Sequence, residues 1–458
     1  MGRILTQMLH RFIARRFASA YSLSVGTVIL PAGRIGDMYG HKKALVFGYA
    51  WTSFWCLIAG LSSYVESSPI FFDVCRGLQG IGYSFLLPNA VAILARCTHP
   101  GHWKRALYFT VFAATAPNGA LLGALFSSLI AQFHPDKWEF AFYLACVCLA
   151  GLSAVAFVFL PSDRYLRDFH GSGDSDDDEV QGFDTWGTAT ALVGLILFNF
   201  AWNQAGVVGW QVAYNPVLMV VGLVFIAIFL YVETRVKHPL IPREVWTTQN
   251  CIILGCLALG WSSFGIWLFY SVRWWINIRN ATLLSAVAMA TPCGLAGCVA
   301  AGLSMVLLSK LGPAPTMLFA LCAFATSSSL IASMPEQQIY WAQSFPSWCI
   351  APGGMDASFP AASLIIANSL PQHRQGVAGS LVNTIVNYSV AFGLGLAGTV
   401  ERQTNGGGTD LFNGYRNCLF LGVGLAGAGV CLAGGTVVAE LTRRWWKPTD
   451  TEKGEQRE

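Results

Sequence analysis

Thirteen apolar runs, each about 18 residues or longer and so able to cross hydrocarbon as a helix, leave this chain one kind of fold. They lie near 17–35, 44–64, 69–95, 107–131, 140–160, 185–204, 215–232, 250–272, 283–308, 313–333, 338–368, 376–399 and 416–439. Lipid offers no partners to backbone amides and carbonyls, so runs of this length read as helices that satisfy their own hydrogen bonds. A chain of 458 residues that is 54% hydrophobic, 11% charged and of mean hydropathy +0.51 cannot hide that surface in a water-soluble core. The expected fold class is an all-α polytopic membrane protein. The runs group as five, two and six around two polar linkers, Pro161–Phe183 with its acidic GDSDDDE stretch and Glu233–Trp246. This predicts an N-terminal lobe over 1–160, a linker with two linking helices over 161–248, a C-terminal lobe over 249–441 and a tail over 442–458.

Composition removes several function classes. A net charge of +4 spread over loops suggests no nucleic-acid partner. The 13 cysteines contain no CxxC and lie mostly inside apolar runs, where they read as small packing residues and not as zinc ligands or a disulfide framework. All eight histidines fall outside the apolar runs, so no intramembrane metal site is expected. There is no GxxxxGK[ST] loop to bind ATP. No cofactor and no enzyme chemistry is expected, which leaves transport driven by a gradient. Met1–Arg16 has no apolar core of signal-peptide length.

The stretch Gly33 to Lys43, GRIGDMYGHKK, joins the first two runs. Gly33 and Gly36 allow close helix approach, Gly40 permits the reversal, and Lys42 with Lys43 hold the loop on the cytoplasmic side. Asp37 is left for a specific contact, with a helix N-terminus or a nearby arginine such as Arg34, forming a latch. An ordinary basic loop with turn glycines is the plainer alternative. With this loop inside, lysine and arginine concentrate in the inside loops, as the positive-inside rule requires. Arg3, Arg11, Arg15 and Arg16, ahead of the first run, disagree with that scheme.

GRIGDMYGHKK resembles the loop motif of the major facilitator superfamily, with Met38 and His41 standing where that motif carries basic residues. Other stretches are similar to the fourteen-span drug:proton antiporters of fungi. RGLQGIG, with Arg76, Gln79 and Gly80, resembles the fourth-helix motif. AATAPNGALLGALF resembles the fifth-helix antiporter motif at Pro117, Gly119 and Gly123, and WEFAFY the entry to the sixth helix. FDTWG, Gly209-Trp210, ETRVKHPLIPREVW and HRQGVAGSLVNT match landmarks of the linking helices and second lobe. The resemblance implies two helical lobes plus two linking helices around a central cavity. It covers Ser19 to Glu440 and lacks the first helix, so the chain reads as a truncated or alternatively spliced form, a late-starting gene model, or a true thirteen-span protein.

Chemistry is expected at few positions. Arg76 is costly in hydrocarbon and should face the bundle interior. The resemblance gives it a role in charge coupling, while Asp73 one turn away offers a local ion pair instead. Pro117 kinks its helix, and Gly119 with Gly123 supply a small-xxx-small packing face, together a hinge. Asp356 in PGGMDASFPAA is the acidic residue deep in the second lobe, either a proton or cation site or a cap beside Gly353 and Gly354. Asn280-Ala281-Thr282 is a glycosylation sequon in an outside loop. The pairs Trp274-Trp275 and Trp445-Trp446 read as interface anchors.

The expected activity is proton-coupled export of amphipathic small molecules, drugs or secondary metabolites, by alternating access. Direction and substrate class come from the resemblance. The expected partners are the small-molecule substrate, protons and the lipid bilayer, with the chain a monomer in the plasma or vacuolar membrane. The alternative is a transport-inactive membrane paralogue or partner protein.

Overall fold

Residues 21, 23–64, 69–97, 103–134, 137–161, 184–236, 239–241, 243–370 and 375–446 are described by the structure, a computed structural model. The N-terminal arginines, the GDSDDDE run, His373 and the last twelve residues of the tail lie outside them. Among the described residues there are helices and no strands. Eleven helical segments are long and apolar enough to cross a membrane. Two further helices, at 23–39 and Trp103–Phe133, fill the first and fourth apolar runs.

The first lobe contains α1 (23–39), α2 (His41–Leu61), α3 (Pro69–Arg96), α4 (Trp103–Phe133) and α5 (Glu139–Phe159). Lipid tails are as apolar as leucine, so these helices associate by close backbone approach and polar contacts. A Cβ on Gly48 would lie 2.8 Å from the Gly82 carbonyl oxygen, and one on Gly80 would lie 2.6 Å from the Tyr21 carbonyl oxygen. Those glycines therefore seat α2 and α1 on α3. Ser53 Oγ donates to the Cys146 carbonyl at 2.8 Å, tying α2 to α5. Lys42 is more than a topological charge, for its Nζ donates to the Leu160 carbonyl at 2.6 Å and caps the end of α5.

The linking helices α6 (Thr185–Val208) and α7 (Tyr214–Glu233) pack on each other, and α6 also packs on the second lobe. Asp184 caps α6 by accepting from Gly187 N at 2.8 Å. The second lobe holds α8 (Thr248–Arg273), α9 (Leu283–Ala290), α10 (Pro292–Lys310), α11 (Pro313–Ala332), α12 (Ser344–Asn368), α13 (Gln375–Thr404) and α14 (Leu411–Trp446). The expected run at 283–308 is one span interrupted at Thr291, because Pro292 has no amide to continue the ladder. On α6, Trp202 stacks on Phe392 of α13 at 4.7 Å and 9°, and its Nε1 donates to the Phe392 carbonyl at 3.1 Å.

One expectation is overturned in the core of this lobe. Trp274 and Trp275 are 0% and 1% exposed, packed inside the protein and not open to lipid headgroups. A π-helical turn at Trp274–Ile278 rotates both rings inward. Trp275 meets Trp348 at 5.0 Å, and its Nε1 donates to Ser344 Oγ at 3.4 Å. The side chains of Trp445 and Trp446 are outside the described set.

Candidate functional site

The lobes meet along two seams. In one, α1 lies against α13, where Thr27 Oγ1 and Tyr388 Oη are hydrogen-bonded at 2.6 Å and Gly26 and Gly33 leave room for Tyr388 and Ser380. In the other, α4 lies against α9 and α10.

The motif residues come together at the end of the first seam. Gly40 adopts φ 105, a conformation glycine takes freely, and turns the chain from α1 into α2. His41, in the first turn of α2, is 2% exposed. Its Nδ1 is 2.8 Å from Asn89 Oδ1, and its Nε2 is 3.4 Å from Asp37 Oδ1. Arg96 Nη2 stands 4.0 Å from the same carboxylate oxygen. A Cβ on Gly36 would overlap the Asn89 carbonyl oxygen, so glycine there is a condition of the His41–Asn89 bond. Burial raises the Asp37 carboxyl above the ordinary carboxylate value, opposed first by His41, then by Arg96 and Arg34. A cavity of about 50 Å³ at this place is lined by Arg34, Asp37, His41, Asp184, Leu240 and Ser380, so the loop, the linking segment and α13 share it. Leu240 and Ile241 are fixed there by Glu233, which accepts from their amides at 3.0 and 3.3 Å. Lys43, beside Lys42, is exposed.

Deeper in the first lobe, Arg76 Nη1 donates to Gln79 Oε1 at 2.5 Å, and its guanidinium lies 4.8 Å from the Tyr21 ring and 5.9 Å from that of Phe142. Gln79, 1% exposed, passes the contact on to the Trp55 carbonyl at 3.2 Å. A charge in hydrocarbon is thus held by an amide and two aromatic faces. Asp73 lies on the same helix, one turn before Arg76.

At the second seam, Pro117 of α4 fills the space over Gly297 of α10, and Asn118 and Leu121 fill that over Gly294. Asp356 of α12 reaches the same spot: a Cβ on Gly297 would lie 3.7 Å from its Oδ2. That oxygen is buried and has no hydrogen-bond partner among the described residues. A Cβ on Gly119 or Gly123 would meet nothing within 4 Å, so the close packing expected of those two glycines is supplied by Gly294 and Gly297 on the facing helix. An apolar cavity of about 220 Å³ lies between α6, α8 and α13, lined by Phe198, Trp202, Tyr388 and Phe392.

Three participants escaped the sequence reading. His41 read only as a lost positive charge, because its burial depends on Asn89 from another helix. Asp184 lies just outside an apolar run, yet its Oδ2 is buried without a partner among the described residues. Glu401 is 6% exposed and accepts from Tyr270 Oη at 2.7 Å, because α13 continues to Thr404, past the predicted end of its run. Asn280 is exposed with φ 53, a left-handed conformation asparagine tolerates, and Thr282 of the same sequon caps α9.

Residues 14–394 match the model of a family described as Major Facilitator Superfamily. The chain is similar to the low affinity ammonium transporter of Saccharomyces cerevisiae, 45% identical over 418 residues that cover 91% of this chain and 79% of that protein. It is also similar to efflux pump terJ of Aspergillus terreus, 41% identical over 416 residues, covering 91% and 78%. Among solved structures, a POT family transporter in complex with thioalcohol conjugated peptide aligns with a TM-score of 0.61 at 16% identity, over 95% of this chain and 88% of that one. At that identity the likeness concerns the fold alone.

Proposed function

The chain belongs to the major facilitator superfamily, a family of transporters and not of enzymes, and from that premise we propose that it exports amphipathic small molecules in exchange for protons. The observation that carries the coupling is Asp356. It is a carboxylate inside a membrane-spanning helix, with a buried, unpartnered oxygen beside the seam where α4 meets α10. A site that takes up and releases a proton there acts on the contact that the lobes must break to alternate access. Arg76 is the charged counterpart in the other lobe, and Asp37 with Arg34 latches the cytoplasmic side. The similarity to efflux pump terJ supports export, and the aromatic lining of the 220 Å³ cavity suits amphipathic molecules.

A second reading is carriage of ammonium or another small cation. It is favoured by the 45% identity to the low affinity ammonium transporter and by the isolated Asp356 carboxylate. Purified protein in liposomes, given a pH gradient and either rhodamine 6G or radiolabelled methylammonium, separates the two. Dye movement that follows the gradient and is lost in Asp356→Asn is the expected result. Methylammonium movement without dye movement establishes the second reading, and movement of neither establishes an inert protein. Dye movement that still follows the gradient in Asp356→Asn removes Asp356 as the coupling site.

A further inference from the structure

We propose that Asp37 and His41 form a proton-binding site, and that its proton holds the motif end of α1 in the closed seam. The inference stands on geometry and does not depend on the substrate reading.

Asn89 fixes the tautomer. Its Nδ2 donates to the Phe85 carbonyl at 2.7 Å, and a carbonyl can only accept, so the amide cannot be turned round. Its Oδ1 therefore faces His41 Nδ1 at 2.8 Å, and Nδ1 must carry a hydrogen. A neutral imidazole then carries its lone pair on Nε2, 3.4 Å from Asp37 Oδ1, a contact of ion-pair distance that lacks hydrogen-bond geometry. Two electron-rich atoms that close repel, and a proton on the imidazole or on the carboxyl relieves the repulsion. The side chain of His41 is 3% exposed and that of Asp37 40%, so the proton exchanges with solvent through the carboxylate.

Among the described residues, the charged groups around the pair are Arg34 on α1, Arg96 on α3 and, across the small cavity, Asp184 ahead of α6. Lys42 on α2 is turned to the end of α5. Burial raises the Asp37 carboxyl while His41, Arg96 and Arg34 oppose it, so a proton carried on the imidazole is the arrangement that keeps both charges in contact. The arginines also give Asp37 somewhere to turn when the proton leaves.

The link to the other lobe follows from helix direction. α1 runs toward the motif loop and α13 away from it, and they touch at Gly33 and Ser380. Asp37, one turn beyond Gly33, is level with the first turn of α13, whose amide end favours a carboxylate. A protonated pair keeps Asp37 at that level, and an empty one expels it. Closure of this seam therefore binds a proton, and rising pH on the motif side opens it.

Hydrogen–deuterium exchange of the full chain in nanodiscs, corrected for intrinsic pH dependence, reads the seam without a substrate. Above the pH at which the pair loses its proton, exchange in 30–45 and 379–392 should rise about tenfold per pH unit, as loss of one proton requires. Helix α11 should not follow. His41→Arg should stay slow and flat across the range, and His41→Gln fast and flat. A wild-type profile without this rise, or a His41→Gln profile that matches wild type, overturns the proposal. If neither variant folds, histidine ¹⁵N spectra of the wild type decide it. The buried ring should be an imidazolium in acid and an Nδ1–H tautomer in base, and an Nε2–H tautomer in base refutes the site.

Discussion

Replacing Gly33 with alanine places a wedge between the lobes that one other residue can remove. A Cβ at Gly33 would lie 2.5 Å from Ser380 Oγ, while Pro88 Cβ and Ser380 Cβ stay at an ordinary 3.6 Å. Only the hydroxyl obstructs. Ser380 is 5% exposed, so turning its Oγ aside costs about 0.5–1.5 kcal/mol of rotamer strain. Alanine is the better helix former, but that gain is present whether the seam is open or closed and cancels from the closure equilibrium. The expected shift toward the open seam is therefore about 0.5–1.5 kcal/mol, or roughly 2–13-fold. Exchange of backbone amides in 379–392 should accelerate by that factor in Gly33→Ala. It should return to the wild-type rate in the Gly33→Ala, Ser380→Ala pair, where the obstructing atom is gone. Unchanged exchange in the single variant, or no rescue in the double, would refute the assignment of the seam to this contact.

Two contrasts test the packing. Gly119→Ala and Gly123→Ala should leave transport intact and stabilise α4 by about 0.5–1 kcal/mol each, since each methyl enters open space. A loss of transport without a loss of expression would restore those glycines as the hinge. Trp275→Ala should cost about 3–5 kcal/mol, as truncation of a fully buried aromatic does. Its melting temperature in detergent should fall by several degrees, whereas a headgroup anchor would leave it nearly unchanged.

The order of the helices was legible because the bilayer sets a length and a polarity that the apolar runs follow, and eleven helical segments among the described residues meet both. Family membership was legible for the same kind of reason. Gly33, Gly36, Gly40 and Asp37 sit at fixed spacing within one loop, and a local turn is written in consecutive residues. Gly80 could also be read in advance, since a glycine in a span is most often a place where another backbone comes close.

What tertiary structure decided were the partners. Apolar runs in lipid are alike on every face, so hydropathy does not say which face meets protein and which meets solvent hydrocarbon. For that reason Gly119 and Gly123 carried the packing expectation while Gly294 and Gly297 make the contact, and Trp274 and Trp275 read as anchors while a π-turn buries them. His41 shows the limit most plainly. The sequence determined that a histidine follows the turn glycine. Its burial and its bond to Asn89, 48 residues away on another helix, were decided by the packing of α2 on α3, because a hydrogen bond needs both of its ends in place.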